Sequence, residues 1–425
     1  MRVPKHYFDG FSKLNRKQRL QKLIAMGALT PEDRVYLNHS VDPALVNLSE
    51  KWVENVIGCF PLPLGVAAHF KIDGRDYVIP MVVEETSIIA AASSTAKWVR
   101  ESGELNTQTL GIQAIGQMQI SKVSNFSVFK KKIEQHKQEL IHTANQKILS
   151  ELVKRGGGAL DIVVRQIPRL DGHTMAVLHV LLNTVDAMGA NIINQVCEFL
   201  REPVEDLTGE RVALCILSNL SDTKLTQAEL VIRDIDQSLG ENICEAALFA
   251  ELDPYRAATH NKGVLNGIDP VVIATGNDWR AVEAGVHAYA ARSGQYRSIT
   301  TWKMRGNDLV GNLIAPIAVG TVGGMTRLHP AAQLCLRILG VEKADALARI
   351  IAAVGLVQNL GALKALTTEG ISKGHMRLHI SNLLLAAGAT TEESLVLRPL
   401  LEKMLEKNKR ITASEVAAVL AELRA

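Results

Sequence analysis

A change of hydrophobic period near Gly111 constrains this chain more than any other feature. In the flanking stretches apolar residues recur at helical spacing. From about Gly111 the segments QMQISKV, DIVVRQI and VALCIL instead alternate as half-buried strands do, and two helical stretches, 130–155 and 190–200, separate them. In the second stretch Ile192, Ile193, Val196, Phe199 and Leu200 make the stripe of one buried helix face. The pattern predicts a small α+β domain inserted into a helix-rich one. A chain of 425 residues is also longer than one hydrophobic core usually organises.

The flanks carry their own punctuation. Thr30-Pro31-Glu32-Asp33 has the hydroxyl, proline and acids of a helix start. Residues 55–80 read as strands and turns, broken by Gly58, Pro61, Pro63, Gly65 and Asp73-Gly74, with DGRDYVIPMVV entering a strand. Glu84-Glu85-Thr86-Ser87 opens the alanine-rich helix IIAAASSTAKWVR. From Ala246 onward long helices are expected, interrupted by glycine turns such as Gly320-Thr-Val-Gly-Gly324. A last helical unit begins near Gly370, with capping-box spacing at Thr390/Glu393 and Thr412/Glu415.

Composition narrows the class. Hydrophobic residues make up 47% and charged residues 21%, a globular balance, and a net charge of +3 is too small for a nucleic-acid footprint. Lys130-Lys131-Lys132, followed by Glu134 and Glu139, reads as a solvated helix face or as a phosphate contact. Five widely spaced cysteines without a CxxC pair read as buried thiols of a reducing compartment. The N-terminal segment lacks the apolar core of a signal peptide, and no run reaches the roughly 18 uncharged apolar residues of a membrane span. The expectation is a cytoplasmic protein that binds neither membrane nor nucleic acid.

Four motifs could carry chemistry. Asp186-Ala-Met-Gly-Ala-Asn191 leads from an extended run into an amphipathic helix; it is either a phosphate site on the helix N-terminus or an ordinary turn capped by Asp186. No G-x-G-x-x-G accompanies it, so a Rossmann fingerprint is excluded there. In residues 260–280, HNKGVLNGIDPVVIATGNDWR, Lys262 sits in a polar turn and Asp278 has the place of an N-cap. A lysine held near an aspartate stays protonated and can stabilise oxygen charge. Glu84-Glu85 are either solvated acids or, with one buried, a proton donor. His375 and His379 stand one helical turn apart, but no acid or cysteine completes a metal site, so no metal is expected.

The order and wording of these blocks resemble one family, hydroxymethylglutaryl-CoA reductase in its soluble bacterial and archaeal class II form. The blocks are ENVIGCFPLPLGVA, VVEETSIIAAAS, DAMGAN, ILSNL, DPYRAATHNKGVLNGIDPVVIATGNDWRAVEAG, GTVGG and EGISKGHMRLH, which together span nearly the whole chain. The resemblance implies a large helix-rich CoA- and substrate-binding domain (1–111 and 219–369), an inserted small ferredoxin-like α+β nucleotide-binding domain (112–218) and a helical C-terminal flap (370–425). It implies a two-step, four-electron reduction of hydroxymethylglutaryl-CoA to mevalonate and CoA by NADPH or NADH, in a homodimer or an oligomer of dimers. Its four catalytic positions fall on Glu85, Lys262, Asp278 and His375, with Asp278 keeping Lys262 charged and His375 protonating the departing thiolate. Ser87, Arg256, Asn219 and Asn266 fall on substrate-binding positions. Asp186, Met188, Gly189, Ala190, Asn191, Gly320, Gly323 and Gly324 fall on cofactor-binding ones.

One position departs from the family pattern. Where an NADH-preferring member carries an aspartate for the adenosine ribose, this chain has Ile148, with Lys147, Lys154 and Arg155 nearby, which favours NADPH. Two other readings stay open: the same enzyme oxidising mevalonate, and a CoA-thioester lyase or acyltransferase, which would need an activated cysteine, Cys59 being nearest to one.

Overall fold

A computed structural model describes residues 6–368, 370, 380–408 and 411–424. The chain divides into two compact units, Met1–Pro63 and Leu64–Ala425. The first holds helices α1 (Arg16–Ala25), α2 (Pro31–His39) and α3 (Pro43–Ser49). Thr30 and Asp33 form the capping box that starts α2, with Pro31 in its first turn, as the sequence requires. Leu20 and Val46 are buried, and Arg19 binds the carbonyl of Val56 at 2.9 Å.

The second unit opens with the antiparallel hairpin β1 (Leu64–Ile72) and β2 (Arg75–Val82), turned by Asp73-Gly74 with both φ positive. Helix α4 (Ile88–Ser102) packs on β1, and β3 (Gly103–Thr109) follows. The expected insertion comes next as β4 (Gln113–Ile120), α5 (Phe126–Lys147), α6 (Ser150–Val153), β5 (Gly158–Pro168), β6 (Thr174–Asn183), α7 (Ala190–Phe199), α8 (Arg201–Thr208) and β7 (Leu214–Ser218). Its strands lie antiparallel in the order β5-β6-β4-β7, the ferredoxin-like β-α-β-β-α-β arrangement. The helices cover one face around a core of Met118, Ile120, Leu178, Val180, Val196 and Leu200.

The helix-rich part resumes with β8 (Leu225–Ile232), α9 (Gln237–Leu252), α10 (Pro254–Ala274), α11 (Trp279–Ala290), β9 (Thr300–Arg305), β10 (Asp308–Pro316), α12 (Gly324–Leu328), α13 (Pro330–Leu339) and α14 (Ala344–Thr367). The hairpin β9–β10 interrupts the run of helices expected there; Thr300, Trp302, Leu309 and Leu313 are buried in it, and it joins β3 and β8 in the sheet β3-β8-β10-β9. A second core gathers these elements around α10 and α14. α14 is long and apolar enough to cross a membrane, yet Ile350 to Leu360 are all buried against α10, α4, α9 and β8. A helix apolar on every side is what a core centre requires. The backbones of α10 and α14 approach so closely that a Cβ on Gly267 would lie 2.7 Å from the carbonyl oxygen of Val354. Helices at 380–386, Thr391–Asn408 and Ala413–Arg424 share a third core of Ile380, Leu384, Leu397, Leu401 and Leu420.

Candidate active site

α10 carries three of the anticipated residues. Asp253 accepts from the backbone N–H of Arg256 at 2.8 Å and Pro254 occupies the first turn, so the helix begins where its sequence signals it. Lys262, expected in a polar turn, lies instead inside this 21-residue helix. Burial of Val264, Leu265, Ile268, Val271 and Val272 outweighs the cost of about 1 kcal/mol that Gly263 imposes. Pro270, also within the helix, removes the N–H that would otherwise serve the carbonyl of Asn266. Lys262 and Asn266 are one turn apart and share a face. Arg256 is half-buried, and burial pushes its pKa down from the ordinary arginine value.

The turn between β2 and α4 brings Glu85 to this face. Lys262 Nζ donates to Glu85 Oε2 at 3.0 Å, joining positions 177 residues apart. Lys262 is 61% exposed and Glu85 40%, so the pair is open to a ligand. Ser87 ends the turn at φ 74°, left-handed for a residue with a Cβ, and its hydroxyl donates to the carbonyl of Thr86. Such strain costs of order 1 kcal/mol and concentrates at functional sites.

Asp278 takes the N-cap place its sequence signals, and its partners within the chain are local. Its carboxylate accepts from the N–H of Ala281 at 3.2 Å as the N-cap of α11 and pairs with Arg280 at 3.5 Å. Among the described residues the ion pair of Lys262 is with Glu85, not with Asp278. The cap donor and Arg280 are adjacent along the chain and hold the carboxylate locally. Asn219, just beyond β7, is exposed; its backbone oxygen lies where a Cβ on Gly285 of α11 would come within 2.7 Å. His375 and His379 lie outside the described residues.

Three glycine-containing motifs meet at a second place. Asn277 accepts from the N–H of Gly320 at 2.7 Å and donates to its carbonyl at 3.1 Å. Thr321 N–H donates to the carbonyl of Asp186 at 2.9 Å, and a Cβ on Gly320 would lie 2.5 Å from Met188 N. Asn277, not marked as a site residue by its sequence, therefore ties the turn before Asp278 to both cofactor motifs.

Asp186 is not the cap of α7. Its carboxylate accepts from Ala344 N–H at 2.9 Å, at the start of α14, and the N-cap is Gly189 at φ 104°, with no side-chain acceptor. A Cβ on Gly189 would meet the Thr184 methyl at 2.4 Å. Met188, Ala190 and Asn191 flank this cap, and Gly323 and Gly324, both with positive φ, are the N-cap and first residue of α12. An uncapped N-terminus on a ten-residue helix, approached closely by backbone, fits the phosphates of a dinucleotide. Ile148 is the C-cap of α5; nearby, Lys154 pairs with Glu151 at 2.5 Å and Arg155 Nε donates to the Glu151 carbonyl at 3.1 Å.

Burial silences several ionisable groups around the site. His260, on α10 beside Lys262, receives a hydrogen bond from Asn359 at 3.1 Å, and desolvation together with Arg256 lowers its pKa to about 3. Asp269, on the same helix, has a buried oxygen with no hydrogen-bond partner; burial and the Glu283 carboxylate raise its pKa well above the carboxylate range. The Cys197 thiol is pushed up to about 12 by burial, and Cys215, Cys244 and Cys335 shift the same way. These four are the opposite of activated nucleophiles. Among the described residues no group of three or more His, Cys, Asp or Glu side chains could hold a metal.

The family model for hydroxymethylglutaryl-coenzyme A reductase matches residues 15–380. The chain belongs to the hydroxymethylglutaryl-coenzyme A reductase family. The 3-hydroxy-3-methylglutaryl-coenzyme A reductase of Archaeoglobus fulgidus is 45% identical over 390 residues, 90% of this chain and 88% of that one. A Streptococcus pneumoniae enzyme of the same name is 38% identical in its solved structure, with a TM-score of 0.75 over 98% of this chain and 99% of that one. A second structure of the class II pneumococcal enzyme, bound to NADPH in open conformations, is 39% identical with a TM-score of 0.74, covering 85% of this chain and all of that one. A hydroxymethylglutaryl-coenzyme A reductase must polarise a thioester carbonyl and supply it with protons. The exposed Glu85–Lys262 pair sets a carboxylate and an ammonium side by side.

Proposed function

We propose that Glu85 and Lys262 form the reaction centre of this hydroxymethylglutaryl-CoA reductase, which converts the thioester to mevalonate in two reductive steps. The observation that carries the reading is the 3.0 Å contact between their side chains, made by two family motifs far apart in sequence. Lys262 stabilises the negative charge that develops on the carbonyl oxygen, and Glu85 relays the proton to that oxygen. Arg256 holds the substrate carboxylate with its fork of donors, while Ser87, Asn219 and Asn266 orient the reacting end. His375 protonates the thiolate of departing CoA.

Bound NADPH supplies the hydride for each step. Asp186, Met188, Gly189, Ala190 and Asn191, with Gly320, Gly323 and Gly324, hold its phosphates and nicotinamide half. Ile148 leaves the adenosine ribose without a carboxylate, so a 2′-phosphate is not repelled, and NADPH is the preferred donor. In domain terms residues 112–218 bind the nucleotide, 1–111 and 219–369 bind substrate, and 370–425 close over both.

We also propose a homodimer, in the cytoplasm, whose sites are completed between copies. Within one chain Asp278 pairs with Arg280 and Lys262 with Glu85, and Phe249, Leu252 and Tyr255 expose apolar surface around the α9–α10 corner. The stoichiometry tests the function: two molecules of NADPH consumed per CoA thiol released fits the full reduction. Thiol release without NADPH consumption would point to a thioester lyase or acyltransferase instead.

A further inference from the structure

Among the described residues, one cation beside the cofactor motifs has no partner of opposite charge within ion-pair distance. Lys224 lies in the loop from β7 to β8, and its Nζ donates to the Thr184 hydroxyl at 3.3 Å. No carboxylate stands within ion-pair distance of it among the described residues. The acid that influences it most is Asp186, whose carboxylate already accepts from Ala344. The side chain is half-buried, and burial pushes the amino group's pKa down.

Thr184 connects this lysine to the cofactor motif. Its hydroxyl donates to the carbonyl of Ala187 at 2.8 Å, and its methyl occupies the space a Cβ on Gly189 would need. The ammonium therefore lies against the 184–189 turn whose last residue starts α7 without a side-chain cap. A desolvated cation without a counter-ion is costly, and an uncapped helix N-terminus is electropositive. Two features from separate parts of the chain thus leave positive charge unanswered along one turn.

We propose that Lys224 is a cofactor-binding residue whose ammonium pairs with the pyrophosphate of NADPH docked at the N-terminus of α7. This inference rests on the reductase reading above. The pyrophosphate is the anion common to NADPH and NADH, so the lysine acts on both and leaves their discrimination to the surroundings of Ile148. It is not a group that moves protons: its partner is a phosphate, a permanent charge at working pH.

Fluorescence titration of NADPH and of NADH onto the intact wild-type protein, Lys224→Met and Lys224→Arg tests it, with a melting curve of each without ligand. Lys224→Met is expected to weaken both nucleotides by a similar factor, about 10- to 100-fold, as loss of a charge-assisted contact does. Lys224→Arg is expected to recover most of that loss. The ligand-free melting temperature of Lys224→Met should hold or rise, since an uncompensated half-buried charge has gone; a merely structural lysine would lower it. Unchanged binding of both nucleotides overturns the proposal, as does weakening of NADPH alone, which would move the lysine to the 2′-phosphate. If Lys224→Met does not fold, Lys224→Gln replaces it with the same criteria. A wild-type protein that neither binds nor oxidises NADPH defeats the reductase reading itself; an active wild type with undiminished binding in Lys224→Met defeats this inference alone.

Discussion

Lys262 and Lys224 are two cations in opposite settings. Lys262 is 61% exposed and meets a carboxylate at 3.0 Å, whereas Lys224 is half-buried and meets a hydroxyl. An exposed ion pair contributes little to folding, about 1 kcal/mol or less, so its partners can be exchanged for a substrate at small cost. A half-buried cation without an anion destabilises the empty protein and favours whatever brings the anion. The contrast separates a group that acts from a group that binds.

Glu85→Gln probes the acting side most strongly. Turnover of hydroxymethylglutaryl-CoA is expected to fall about 100- to 1,000-fold, while NADPH affinity and melting temperature stay near wild type. A matching loss of NADPH affinity would merge the two regions that the comparison separates.

Next in size is an acid effect carried by His260. Its folded pKa lies below the ordinary histidine value, so its contribution to stability is complete above that value and is lost as pH falls towards about 3. Equilibrium unfolding should weaken by roughly 1.4 kcal/mol per pH unit across that window, from this group alone. In His260→Gln the slope should flatten; an unchanged slope would assign the acid sensitivity to another group.

Gly189→Ala tests the phosphate cradle. A Cβ at φ 104° would meet Thr184 at 2.4 Å, so a stability loss of about 2 kcal/mol and weaker NADPH binding are expected together. Intact NADPH affinity in a folded Gly189→Ala would remove the helix N-terminus from the nucleotide site.

The smallest effect concerns Asp269. Its raised pKa makes the protonated form the one the fold accommodates, so stability is present at low pH and declines as pH rises above the carboxylate range. Asp269→Asn should abolish that decline and gain of order 1 kcal/mol in mildly alkaline buffer, read by thermal melting at several pH values. A stability loss there would mean that the ionised carboxylate has a favourable partner.

Local chemistry made parts of this molecule readable from sequence. Alternation near Gly111 announces the inserted ferredoxin-like sheet, and Thr30, Asp278, Thr390 and Thr412 cap helices because their side chains reach only the nearest N–H groups. Non-local competition hid the rest. Lys262 lies in a helix because buried neighbours two to ten residues away override Gly263 and Pro270. The hairpin β9–β10 draws its order from pairing with β8 across the sheet, a contact no local pattern reveals. Asn277 stands in a motif that drew attention to Asp278 instead, and Lys224 carries no motif of its own; their partners, Gly320 and Thr184, are 43 and 40 residues away. Glu85 and Lys262 were legible as residues, but their contact became visible only in the fold.

The most direct test pairs two readings on one protein, Lys262→Met: NADPH affinity by fluorescence, and NADPH consumption on addition of hydroxymethylglutaryl-CoA. Lys262 as the group that stabilises oxygen charge predicts affinity within twofold of wild type and consumption lower by about 100- to 1,000-fold. Consumption within about tenfold of wild type, in a variant that still binds NADPH, would contradict it.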